Sequence, residues 1–108
     1  MARYLAIWHV NPSAPWPIDP SENLKMLEMM WAAIDGLMKK GEIEETGSFP
    51  EGHVGYTIGK GETIDAYRNA NMFYPFIVFE IHEIIPYAKQ KEIIRANTKA
   101  QIAAMKKK

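Results

Sequence analysis

The hydrophobic positions along this chain change period several times, and each change marks an element. Arg3-Tyr4-Leu5-Ala6-Ile7-Trp8-His9-Val10 is rich in β-branched and aromatic residues and stops at Asn11-Pro12, where proline has no amide to give to a ladder. This reads as a first strand. Its apolar residues fall at both parities, the pattern of a strand whose two faces are both covered. Pro12, Pro15 and Pro17 hold a stiff loop around Trp16, whose ring is expected to lid the core or an oligomer contact, with stacking on a ligand as the alternative. Asp19-Pro20-Ser21-Glu22 supplies an N-cap acceptor, a proline at the first helical position and a Glu at N3, so a helix opens here and ends near Lys40, before Gly41. Leu24, Leu27, Trp31, Ile34 and Met38 form its expected core stripe. Met26, Met29, Met30, Ala33 and Leu37 widen that stripe beyond what one sheet can cover.

Ile43 to Phe49 predicts a second strand, Phe49-Pro50-Glu51-Gly52 a type I turn, and His53 the start of a third strand. In that strand Gly55, Thr57 and Gly59 share one face and Val54, Tyr56 and Ile58 the other, which leaves room for a ligand on the glycine side. Gly59-Lys60-Gly61 lacks the spacing of a phosphate loop and reads as a turn. Glu62 to about Asn71 predicts a short helix with Ile64, Tyr67 and Ala70 or Asn71 inward. Phe76 to Ile85 is the strongest strand, stopped by Pro86. From Tyr87 onward the Lys, Gln, Ala and Ile content predicts a C-terminal helix with Ile93, Ile94, Ile102 and Met105 as its anchors. The order βαββαβ plus a helix predicts an α+β, ferredoxin-like fold with an antiparallel sheet. One domain is expected over 1–108, with its core in 3–86 and a helical extension in 87–108.

Charge adds a division that the pattern does not show. The 13 basic and 13 acidic residues cancel, yet from Lys89 onward seven basic residues face Glu92 alone, a tail of +6. The preceding body carries six basic against twelve acidic residues, −6. The tail is therefore expected to dock on the body, drawn by charge and held by Ile93, Ile94 and Ile102. It carries no RNA-module aromatic signature, so no nucleic-acid partner is expected. The chain has no cysteine, which excludes disulfides, thiolate metal sites and cysteine nucleophiles. Met1-Ala2-Arg3-Tyr4 runs straight into a strand and no stretch approaches the ~20 apolar residues of a membrane span, so a cytoplasmic protein without a membrane partner is expected.

Candidate chemistry is sparse. Glu80 and His82 lie two apart in the last strand and so share one face, with Phe76, Val78 and Ile84. An acid and an imidazole on an otherwise apolar strand could move protons, or could be a satisfied structural pair. His9 and His53 become neighbours if the first and third strands pair antiparallel. His82 then falls near Tyr4, so the three histidines do not share a metal, and no metal site is expected. Ser13, Ser21 and Ser48 sit in no nucleophile elbow.

The split βαββαβ order, Leu37-Met38-Lys39-Lys40-Gly41 at the end of the first helix, the strand with Gly47, and the run from Tyr74-Pro75-Phe76 through Glu83-Ile84-Ile85-Pro86 together resemble the muconolactone isomerase-like members of the dimeric α+β barrel superfamily. The resemblance spans about Tyr4 to Pro86; the long stretch from Pro75 to Pro86 and the basic C-terminal helix depart from the family. It implies that two copies set their sheets face to face as a barrel, with a small organic molecule held between sheet and helices. It also implies cofactor-independent proton transfer on a small organic acid or lactone. In that reading Glu80 and His82 move protons, while Tyr4, Trp8 and Tyr56 shape the pocket and His9 and His53 add to the ligand site. The alternative is a non-catalytic ligand-binding or oligomer-forming module.

Overall fold

In the computed structural model, which describes residues 2–107, seven elements follow in the expected order. They are β1 (Ala2–Val10), α1 (Pro20–Lys39), β2 (Ile43–Ser48), β3 (Val54–Gly61), α2 (Thr63–Asn71), β4 (Ile77–Glu83) and α3 (Tyr87–Lys106). The strands form one antiparallel sheet in the order β2-β3-β1-β4, an α+β arrangement compatible with a ferredoxin-like fold. Gly59-Lys60-Gly61 is the end of β3, paired with Ala2 to Tyr4, and not a turn. The turn at Phe49–Gly52 closes as expected, with the Gly52 amide donating to the Phe49 carbonyl at 3.0 Å; Gly52 takes φ +82°, which its missing Cβ permits.

Register fixes what each sheet face carries. Tyr4, Ala6, Trp8 and Val10 of β1 face α1 and α2 together with Thr57 of β3 and Ile77, Phe79 and Ile81 of β4. Leu5, Ile7 and His9 point the other way, to a face that none of the helices among the described residues packs against. β2 carries one extra residue, Glu44, between Ile43 and Glu45; this bulge keeps both Ile43 and Thr46 on the helix side.

The helices meet the sheet through faces that only partly match the expected ones: Leu27 and Ile34 of α1 and Ala70 of α2 turn inward as expected. α1 turns Leu27, Met30, Ile34 and Leu37 inward, leaving Leu24, Met29 and Met38 exposed. α2 turns Ala66, Asn69 and Ala70 inward, and Ile64 and Tyr67 are exposed. Alanines on the inner stripe let α2 approach the sheet closely, and Phe73 just beyond it supplies the bulk, its ring 6.0 Å from that of Phe79. The buried core is small: Tyr4, Ala6, Leu37 and Phe73.

α3 does not dock on the acidic body. It leaves β4 through Ile84, Ile85 and Pro86, whose extended backbone (φ −59°, ψ 146°) carries the chain onward, and every residue of the helix is exposed. The molecule measures 72 × 28 × 24 Å with a radius of gyration of 19.7 Å, against about 13 Å for a compact chain of this length. No helix among the described residues is long and apolar enough to cross a membrane.

Candidate functional site

Small residues at the centre of the inner sheet face and on α2 leave a cavity of about 240 Å³ between the sheet and the two helices. Ala6, Gly59, Ala66 and Ala70 set its depth, because larger side chains there would fill it. Aromatic rings form much of its wall. Trp8 lies over Gly55, where an added Cβ would collide with the indole and with the Gly47 carbonyl, and its Nε1–H donates to the Tyr56 carbonyl at 3.2 Å. Trp16 closes one end: its Nε1–H donates to the Asn11 carbonyl at 2.7 Å, and its ring meets Phe76 edge to face at 5.0 Å. The proline-rich loop therefore delivers Trp16 to the cavity wall. Trp31 of α1 borders the cavity and stays half exposed.

Few polar groups reach this space, and their hydrogen bonds define what they can still offer. Thr46 donates its hydroxyl proton to the Tyr56 carbonyl at 2.9 Å, so in the 2.8 Å contact between Thr46 and Thr57 the Thr57 hydroxyl is the donor. Thr57 is left with free lone pairs toward the cavity and no free proton. The Tyr4 hydroxyl, on a buried ring, shares a hydrogen bond of 3.0 Å with Thr63 at the start of α2. Glu42 and Asn69, at the edge, are joined at 3.3 Å, with the amide donating. The result is an apolar, ring-lined space whose wall carries the hydroxyl-bearing residues Thr46, Thr57 and Tyr4 and whose margin carries Glu42 and Lys60, the composition of a small-molecule site.

The residues singled out from the sequence divide between the two faces. Tyr4 and Trp8 line the cavity. Glu80 and His82 stand on the opposite, open face, opposite Ile7 and Leu5 of β1, with His82 Nε2 at 3.7 Å from Glu80 Oε2 and both side chains about 60% exposed. The sheet separates them from the cavity. Tyr56 also points to the open face, stacked on Phe49 at 6.0 Å; its hydroxyl donates to Glu45, and that bond holds the phenol above its ordinary value of 10.0. His9 and His53 meet at one end of the sheet, where the Val10 amide donates to the His53 carbonyl at 2.9 Å, and both are exposed. Among the described residues no group of three or more His, Asp or Glu is placed to hold a metal ion.

The glycine-thinned face of β3 and the Glu80–His82 face are therefore opposite sides of one sheet, so the acid and the imidazole do not reach the room that the small residues leave. The sequence reading missed Thr46, Glu42 and Asn69. Thr57 was visible in it as part of the roomy face, and the alternation of small residues in β3 was the signal that could have led to Thr46 across the ladder. No protein-family model and no curated protein matches this chain.

Proposed function

We propose that this protein binds a small, largely apolar, ring-bearing organic molecule in the cavity between the sheet and helices α1 and α2, and that a second copy covers the open face of the sheet. The observation that carries the reading is the cavity itself: an aromatic-walled space of about 240 Å³ with an inward hydroxyl pair, Thr46 and Thr57. Its volume lies just below the roughly 300–1,000 Å³ of drug-sized sites, which suits a compound of one or two rings. Thr57 would accept a hydrogen bond from the bound molecule, and the rings of Trp8, Trp16 and Phe79 would stack on or against it. This position agrees with the one implied by the resemblance to muconolactone isomerase-like proteins.

A second reading, proton transfer on a small organic acid or lactone, draws support from the 3.7 Å approach of Glu80 and His82. A molecule in the cavity lies across the sheet from that pair, so this reading needs a separate site on the open face. One pair of variants separates the two. Ala70→Leu fills the cavity and, with native folding checked by circular dichroism, should reduce affinity for a fluorescent aromatic probe at least tenfold. Glu80→Gln should bind the probe as the wild type does. Probe binding that survives Ala70→Leu and is lost in Glu80→Gln would move the ligand to the open face and end the cavity reading.

A further inference from the structure

Apolar surface and charge are divided between two places that never meet within one copy. The first is α3. Tyr87, Ile94, Thr98 and Met105 recur at seven- and four-residue steps and mark a mainly apolar arc interrupted by Lys91, whose ammonium lies 5.2 Å from the centre of the Tyr87 ring; Arg95, Lys99 and Lys106 are grouped to one side of it. Tyr87, Ile94 and Met105 are each more than half exposed. The second is the open face of the sheet. Its two central rows run Ile58–Leu5–His82 and Tyr56–Ile7–Glu80 across β3, β1 and β4, with Glu45 of β2 extending the first row beyond Ile58. An apolar centre is thus flanked by a carboxylate on each edge strand, while Arg3 and Lys60 face each other across β1 and β3 at one end of the same face.

We propose that α3 of one copy lies across the open face of the sheet of a second copy, each copy covering the other. The inference rests on the reading that a second copy closes this face, and adds which element does so. Four observations favour the helix over a second sheet. A compact chain of this mass exposes roughly 6,100 Å², and this one exposes 8,223 Å², an excess of about 2,100 Å² per copy. Two such excesses make about 4,200 Å², within the range of obligate homodimers at roughly 2,000–5,000 Å². Stacking two identical sheets would leave both α3 helices, and most of that excess, in water.

Charge points the same way. Two paired α3 helices would bring together two strongly basic segments, whereas the sheet face offers Glu45 and Glu80 beside its own Arg3 and Lys60. α3 on the sheet sets basic groups beside acidic ones and isoleucine on isoleucine. Length agrees too: twenty helical residues span about 30 Å, as do nine residues of β1. Finally, the three-residue joint at Ile84–Pro86 directs α3 away from its own sheet, so the sheet it meets belongs to another copy.

Sedimentation of the full chain and of an Ile94→Asp/Met105→Asp variant tests this. Both side chains are exposed on a helix that has no buried residue, so the substitutions leave the body's packing alone. The wild type should sediment at twice 12.3 kDa at low micromolar concentration, and the variant should dissociate at least tenfold more readily. A variant that dimerises as tightly as the wild type would overturn the α3 contact while leaving the second-copy reading standing; a wild type that is a folded monomer would overturn both. Because the chain has no cysteine, a Val78→Cys chain mixed with an Ile94→Cys chain can be joined by a short bismaleimide without background. Crosslinked pairs of chains are expected. In a chain that carries both Val78→Cys and Ile94→Cys, crosslinks confined within single chains would place α3 on its own sheet and overturn the proposal.

Discussion

Gly55 and Trp8 depend on each other. The indole of Trp8 occupies the space above Gly55, donates to the Tyr56 carbonyl and forms part of the cavity wall, so a methyl group at residue 55 must displace the ring or the neighbouring strand. Gly55→Ala is expected to destabilise the fold by ~1–3 kcal/mol, the usual cost of overpacking, and to weaken ligand binding because the wall moves. A Gly55→Ala protein that melts and binds like the wild type would mean that Trp8 is not held there. The alternation of Gly55, Thr57 and Gly59 made this roomy face legible in the sequence. Nothing in the sequence said that Trp8 would occupy part of it. Likewise a period of two placed Glu80 and His82 on one face but could not say which face the helices cover, because β1 and β4 carry apolar residues at both parities.

At the scale of elements, ends were legible and rotations were not. Asp19 caps α1 as its position before Pro20 predicts: its carboxylate accepts from the Glu22 amide at 3.1 Å and from the Ser21 hydroxyl. These bonds, the hydroxyl's first, hold the carboxyl below its ordinary value of 3.8. The folded pKa is depressed, so the stabilisation from the charge is present above about 3.8 and is lost as pH falls through the folded value. Asp19→Asn keeps an acceptor without the charge; it should melt below the wild type at neutral pH, and the gap should close under acid conditions. A constant gap would assign the effect to shape alone. The faces of α1 and α2 were harder to read because large apolar residues lie beside the inner stripe on both helices. Leu24, Met38, Ile64 and Tyr67 compete with the true inner stripes, and only the sheet's demand for close approach selects Ala66 and Ala70.

For the molecule as a whole, the sequence announced a surplus of apolar surface and an uneven charge, and the structure shows where each resides. A twenty-residue helix without tertiary contacts is marginal in water, so α3 should be stable only when covered. Hydrogen exchange over Lys91–Ala103 is expected to be slow in concentrated protein and to quicken on dilution. Uniformly fast exchange at every concentration would leave α3 without a partner. Strand β1 is the wall common to both surfaces: Tyr4, Ala6 and Trp8 look into the cavity while Leu5, Ile7 and His9 look out from the open face, on alternate residues of one ribbon. Any shift in its pleat or twist is felt on both sides at once. Thermodynamic reciprocity then applies: by whatever factor a guest in the cavity tightens or loosens the union of two copies, that union changes the guest's affinity by the same factor.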